Sequence, residues 1–410
     1  MNVFDLIKKE EDRQKNTVEL IASENFVSND VLRALGSCLT NKYTEGYPTV
    51  RSSGKTGRYY GGCEVYDQLE EYCCDLWRQV FKTNYHVNVQ PHSGSNANFA
   101  AYMSVLQLGD TILSMDLNDG GHLTHGSPVN FSGKLYNMVF YNVDAYGYID
   151  VKDIFQKVMQ CKPQLVLVGA SAYPREIPFT QIYRTVVYAA EKVRESVDPM
   201  YRTPFFMVDM AHIAGLVAAG VHESPFGVAD IITTTTHKTL RGPRGGMIFC
   251  KPELAKRVDS AVFPGSQGGP LQNVIAAKAV AAEEALRPEF KTYIKNVVKN
   301  SKAMCEEFIR LGFDPVTGGT DNHLFLLDFS RTHPELTGKF VQDLLDSHGI
   351  TLNKNCVPGE TRSPVQTSGV RIGTAAMTTK GYTAKDFVAV ADRIAEIINS
   401  SRWSAAERKE

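Results

Sequence analysis

In the run Thr233-Thr234-Thr235-Thr236-His237-Lys238-Thr239-Leu240-Arg241-Gly242, one lysine follows a β-branched, strand-like stretch that begins at Ile231. It precedes a loop broken by Gly and Pro. A lysine held where a strand ends is placed for chemistry, because an amine whose pKa has been lowered forms a Schiff base with an aldehyde. Upstream, Phe205-Phe206-Met207-Val208-Asp209 is an apolar strand that ends in a carboxylate. The pair is what a pyridoxal phosphate site needs. The Asp keeps a pyridine nitrogen protonated so that the ring accepts electrons, and the Lys carries the aldehyde as an imine. Taken alone, the same residues also read as a surface lysine and an Asp capping a helix at Met210.

A phosphate needs its own seat. The turn His92-Ser93-Gly94-Ser95-Asn96 joins a strand to a helix, so free N–H groups and the helix dipole point at one spot. Gly94 permits close approach, and Ser93 or Ser95 adds a hydroxyl. As a lone motif this is a common turn. His122 and His125 have the His-x-x-His spacing of some zinc sites. No third ligand is apparent, the surrounding glycines suit a loop passing over a flat ring, and no metal is expected.

The elements that must position these groups alternate. Strands are expected at His86–Gln90, Thr111–Met115, Met138–Val143, Gln164–Val168, Phe205–Val208, Ile231–Thr235 and Met247–Cys250. Helices are expected through Val65, Leu69, Tyr72, Leu76 and Val80, and at Asn96–Leu106, Gln181–Val193 and Pro252–Ala261. Such alternation predicts an α/β domain with a mostly parallel central sheet, whose ligands lie beyond the carboxyl ends of the strands. A long Ala-rich helix from Gln272 to near Leu286 then meets Pro288 and breaks. The expected division is a charged N-terminal arm plus large domain over 1–280 and a smaller α+β domain over 281–410.

The chain resembles serine hydroxymethyltransferase, a fold-type I pyridoxal phosphate enzyme, from near Leu20 to near Ile398. The resemblance is carried by Ile21-Ala22-Ser23-Glu24-Asn25, Asn41-Lys42-Tyr43-Thr44-Glu45-Gly46-Tyr47-Pro48, Arg58-Tyr59-Tyr60-Gly61-Gly62 and Gly120-Gly121-His122-Leu123-Thr124-His125-Gly126. Further runs are Ser171-Ala172-Tyr173-Pro174-Arg175, Val208-Asp209-Met210-Ala211-His212, the lysine run, Pro264-Gly265-Ser266-Gln267-Gly268-Gly269-Pro270 and Ser368-Gly369-Val370-Arg371-Ile372-Gly373-Thr374. Each is weak alone; in this order along nearly the whole chain they are specific.

The resemblance implies roles. Lys238 carries pyridoxal 5'-phosphate, with Thr235 and His237 as helpers. Ser93 and Gly94 hold the phosphate, completed by Gly268 and Gly269 of a neighbouring subunit. His122 stacks on the ring, Asp209 and His212 lie beneath and beside it, and Ser171 is near its hydroxyl. Arg371 grips the substrate carboxylate, helped by Ser23 and Tyr60. Glu45, with Tyr43 beside it, is the acid/base at the hydroxymethyl group, reaching in from the partner of a homodimer. Leu117, Gly120, Gly121 and Asn355 line the pterin. The implied activity is reversible transfer of the serine hydroxymethyl carbon to tetrahydrofolate, giving glycine. Rivals on the same scaffold are a threonine aldolase or transaldolase and an α-methylserine hydroxymethyltransferase. A non-catalytic paralogue is disfavoured by the intact Lys238, Asp209, Arg371 and Glu45.

Composition narrows the classes. A net charge of −1 with scattered Lys and Arg gives no reason to expect a nucleic-acid partner. No apolar run approaches the roughly 18 residues of a membrane span. Neither a signal-peptide h-region nor CxxC spacing is present, so free thiols and a cytoplasmic location are expected. Two departures from the family pattern stand out. Residues Thr49 to Gly57 lengthen the bridge between Glu45 and Tyr60; they read first as a solvated bulge without consequence, and otherwise as a place where Arg51 or Lys55 alters binding of the folate glutamate tail. Gly373-Thr374-Ala375-Ala376 also stands where the family has Gly-Thr-Pro-Ala, which should loosen the segment without changing the reaction.

Overall fold

The expected strands form one seven-stranded sheet, described here from a computed structural model covering residues 2–50 and 55–407. Across it the order is His86–Asn88, Gly246–Cys250, Ile231–Thr235, Phe205–Asp209, Leu165–Val168, Thr111–Met115, Asn137–Tyr141. All adjacent pairs are parallel except those made by Gly246–Cys250, which is antiparallel to both neighbours. The inner strands read as continuous apolar runs because both faces are covered. Successive residues serve opposite sides: Val166, Val168, Phe206 and Val208 join one core, and Leu165, Leu167 and Met207 join the other.

Helices Glu64–Phe81 and Phe179–Ser196 supply the first core, which includes Trp77 and Val186, while Gly94–Val105 and Ala255–Val262 supply the second. The Gln272–Ala285 helix ends as expected, but Pro288 then opens a second helix, Pro288–Arg310. Proline suits the first helical position, where its missing N–H has no partner to lose. Phe290, Ile294 and Val297 of that helix still belong to the main core. Met304, Cys305 and Phe308 belong to another, built on a four-stranded antiparallel sheet ordered Asp314–Pro315, Leu324–Asp328, Gly369–Gly373, Asn353–Asn355.

The N-terminal arm is a helix, Val3–Asn16, capped by Asn2 and with no buried residue. Val18–Glu19 then pairs in parallel with Ile350–Thr351 and leads Leu20 into the second core. The lengthened bridge is a hairpin of Gly46–Val50 against Lys55–Arg58. Arg51 lies outside the described residues, as do the side chains on either side of the hairpin tip. Its root is firmly held. The buried Arg58 guanidinium donates to the carbonyls of Thr44 (2.9 Å) and Gly46 (2.7 Å) and pairs with Asp67 and Glu70. Ala375 opens the short helix Ala375–Thr379, a place a proline would also fill. Among the described residues, no helix is long and apolar enough to cross a membrane.

Candidate active site

Parallel strands end on one edge, and there Asp209, the Thr235–Lys238 loop, Ser171 and the His92–Ser93–Gly94 turn converge on a cavity of about 150 Å³. Its lining contains Ser93, Gly94, His122, Ser171, Asp209, His212, Thr235, His237 and Lys238 from the sequence reading. It also contains Arg244. Because Gly246–Cys250 runs backwards, its amino end arrives at the carboxyl ends of its neighbours and brings Arg244 with it.

Lys238 Nζ donates to Thr235 Oγ1 at 2.9 Å. Burial pulls this ammonium down to about 8; Asp209 pulls it back up, while Arg371 and Arg244 push it lower. Burial alone would raise Asp209, but its carboxyl is held well below the usual carboxylate range by His125, His122 and Asn98. Asp209 Oδ2 lies 3.0 Å from His125 Nε2 and accepts from Asn98 Nδ2 at 2.9 Å, and Oδ1 accepts from Ala211 N at 3.0 Å. His125 Nδ1 in turn accepts from the His122 backbone N–H at 3.2 Å. Both ring nitrogens of His125 are thus engaged in fixing the loop and the carboxylate, which removes the metal-pair reading. Among the described residues no cluster of His, Cys, Asp or Glu suits a metal ion.

Asn98 is a residue the sequence reading missed. It links Asp209 to Thr124 Oγ1 (2.8 Å) and to Thr233 Oγ1 (2.6 Å), and Thr124 Oγ1 meets His122 Nδ1 at 2.8 Å. Burial pushes the His122 imidazole down to about 4, so the ring is neutral when it faces the cavity. His212 is buried, lowered well below the ordinary histidine value by burial, and sits 3.2 Å from His323, just ahead of the Leu324–Asp328 strand. His237 is likewise lowered by burial, to about 3, and its Nδ1 is buried without a hydrogen-bond partner among the described residues.

Ser93 caps the Gly94–Val105 helix by accepting from Asn96 N. A Cβ on Gly94 would lie 2.6 Å from Thr235 Cγ2, so the turn and the lysine strand touch only because Gly94 has none. Arg371 comes from the other unit, where it faces Leu326 and Asn353 across the small sheet. Its Nη1 donates to Ser171 O at 2.6 Å and its Nε to Asn353 Oδ1 at 3.1 Å. Burial lowers this guanidinium to about 10, with Glu24 opposing. No carboxylate pairs with it among the described residues. The Leu20–Ala22 segment lies across the strand that carries it, since Gly373 N donates to Leu20 O at 2.8 Å, and so Ser23 is brought alongside. Ser171 Oγ donates to Gly121 O at 2.8 Å, joining the Leu117–Gly121 turn to the cleft. Asn355 follows Asn353 on the same strand, its side chain donating to Cys356 O.

Ser23, Arg371, Leu117, Gly120, Gly121 and Asn355 stand outside this lining, and so do five further expected residues that lie elsewhere. The Tyr43 and Tyr60 rings lie 5.1 Å apart, tilted by 51°, and stay 56% and 38% exposed. Burial and then the Glu45 charge raise the Tyr60 phenol. A Cβ on Gly268 would lie 3.1 Å from Glu45 Oε1, and one on Gly269 would lie 3.0 Å from Tyr43 Cε1. Tyr43, Glu45, Tyr60, Gly268 and Gly269 therefore form a second cluster of their own, open to the outside.

Compared with known protein families, residues 1–394 match serine hydroxymethyltransferase. The chain belongs to the serine hydroxymethyltransferase family. It transfers the hydroxymethyl carbon of serine reversibly to tetrahydrofolate, giving glycine and 5,10-methylenetetrahydrofolate, and uses pyridoxal 5'-phosphate. The residues present fit that cofactor. A buried ionised carboxylate, a depressed lysine, a helix N-terminus with an arginine beside it, a neutral ring and an orphaned imidazole nitrogen all meet at one cavity.

The depressed lysine has a kinetic consequence. Covalent capture of pyridoxal 5'-phosphate by the apo-hydroxymethyltransferase should accelerate about tenfold per pH unit up to about pH 8 and then level off, because only the neutral amine attacks. A simple alkyl amine keeps accelerating to beyond about pH 10. Stopped-flow absorbance decides it, and a rate still climbing steeply at pH 9.5 would remove burial as the cause.

Proposed function

We propose that the residues lining the cleft hold and work the cofactor within one subunit, and that Tyr43, Glu45, Tyr60, Gly268 and Gly269 serve the cleft of a partner subunit. The observation that carries this reading is the division itself: one cluster has a depressed lysine and an unpaired arginine but no acid/base for the hydroxymethyl group. The other has the acid and the phenols, and its lysine, Lys42, lies over the Tyr60 ring outside the cleft lining. When bound, the cofactor supplies an electron sink for charge left at the substrate Cα.

Asp209 holds a proton on the ring nitrogen, and its own partners keep it ionised while doing so. Lys238 would hold the cofactor through its aldehyde, and its depressed amine suits it to release and regain that hold as serine enters and glycine leaves. Thr235 keeps that amine aimed by accepting its hydrogen bond. Arg371, its fork already oriented by Ser171 and Asn353, docks the serine carboxylate with Ser23 and the partner's Tyr60. Glu45 of the partner moves the hydroxymethyl proton, with Tyr43 beside it. Ser93, Gly94 and Arg244 seat the phosphate, closed by the partner's Gly268 and Gly269. Leu117, Gly120, Gly121 and Asn355 line the pterin. We divide the chain into two units, with the handover inside the Pro288–Arg310 helix rather than at residue 280, because its two halves feed different cores. The cysteines are free of disulfides, which supports a reducing compartment, the cytoplasm.

Mixing Lys238→Ala and Glu45→Gln subunits tests the sharing. In a mixed dimer one site receives both intact residues and the other neither, so exchange should restore roughly a quarter of the parental activity from two nearly dead proteins. Sites complete within single chains would leave the mixture at the average of the two variants.

A further inference from the structure

Lys278 has no part in the chemistry above, yet it stands in an Ala-rich helix at 1% exposure. Its ammonium is held by backbone carbonyls: Nζ donates to Val89 O at 2.7 Å, Pro91 O at 3.1 Å and Gly246 O at 2.7 Å. Three acceptors use all the hydrogens a lysine has. Val89 and Pro91 lead directly into the His92–Ser93–Gly94 turn. Gly246 N donates to the same Pro91 carbonyl at 3.1 Å, and a Cβ on Gly246 would lie 2.3 Å from Ser93 O. Next to it, a Cβ on Gly245 would lie 2.5 Å from Lys278 Cε, while Gly245 O accepts from Thr236 N at 3.2 Å. The ammonium therefore sits under the junction of the phosphate turn, the lysine loop and the segment that carries Arg244.

Holding three segments together does not require a charge. Burying an ammonium is costly, and well-packed apolar residues often replace buried ions without loss. Burial does weigh on Lys278, pulling it down to about 8 against the opposing pull of Cys73 and Glu70. No carboxylate pairs directly with its Nζ among the described residues. A fixed cation beneath a cradle of Ser93, Ser95 and Arg244 makes sense when an anion arrives there, since a preset charge in a low-dielectric site needs no reorganisation.

We propose that Lys278 is the positioning residue of the phosphate cradle: it clamps the His92–Ser93–Gly94 turn to Gly246 and places its ammonium beneath the cofactor's phosphate. It thus governs how tightly the phosphate group, rather than the ring, is held. This rests on the reading that the phosphate sits at Ser93 and Gly94.

The test compares the dissociation constants of pyridoxal 5'-phosphate and of pyridoxal, which lacks the phosphate, on full-length apoenzyme by fluorescence. In Lys278→Met the preference for the phosphorylated form should fall at least about tenfold, the scale of one charge-assisted interaction, while pyridoxal affinity stays within about threefold. Lys278→Arg, which keeps the charge, should recover part of the preference. Equal weakening of both ligands, or no change in their ratio, would overturn the proposal. Ser93→Ala separates the two layers. A reduced preference there with none in Lys278→Met sinks the Lys278 role alone, whereas no loss in either sinks the placement of the cradle. If Lys278→Met does not fold, Lys278→Gln and Lys278→Arg are read the same way. Failure of all three to fold would mark the lysine as purely structural.

Discussion

Lys238→Ala should lower steady-state serine turnover by about 10²–10⁴-fold, on the order of the loss of one reacting side chain from an active site. Among the described residues, Lys238 is the one lysine lining the cleft, its charge suppressed by burial, and Thr235 Oγ1 holds it in place. Without it, the serine amine has nothing to displace and glycine has nothing to be released by, so product release suffers most. A single slow turnover followed by a stall is the expected time course. Cofactor retention should survive in weakened form, because Asp209, the Ser93 turn and Arg244 remain. Borohydride should fix the cofactor to the parent protein at Lys238 and fail to fix it in the variant. Steady-state turnover within tenfold of the parent, or peptide mapping of the label to another lysine, would refute the assignment.

Arg371→Leu should cost serine about 2–5 kcal/mol in kcat/KM, or roughly 30- to 5000-fold, since truncation leaves the carboxylate docked against nothing. The guanidinium is buried, unpaired by any acid among the described residues, and aimed by Ser171 O and Asn353 Oδ1. Arg371→Lys should rescue little, because a point charge cannot reproduce a planar fork at a bidentate site. Cofactor affinity should change by much less than serine affinity, as Arg371 comes from the other unit. Binding of an amine without a carboxylate should be nearly indifferent to the substitution. A change in kcat/KM for serine below about fivefold would exclude Arg371 as the carboxylate grip.

The strand-end pair Asp209 and Lys238 was legible because it depends on local pattern: an apolar run, then one ionisable residue, then a turn. The same holds for Ser93 and Gly94 at a strand-to-helix joint. Arg244 was overlooked, although the connection from Thr235 to Gly246 is too short for the helical crossover that parallel strands need. That length alone announces an antiparallel strand and a return to the same edge. Asn353 had no comparable signal. It orients Arg371 only through the register of an antiparallel pair whose members lie far apart in sequence. Asn98 and His125 were likewise hidden, since their role is to hold another residue's carboxylate from separate elements.

Lys278 marks the boundary most clearly. Periodicity assigns a lysine among alanines no special place, and only the three carbonyls that the folded sheet edge turns inward reveal a buried cation. The kinds of groups available, and the strand ends that bear them, were written in short-range order. Which of them share a cavity and which supporting residues tune their charge came from long-range closure. Chain segments remote in sequence meet only when two cores pack and each buried polar group finds its partner.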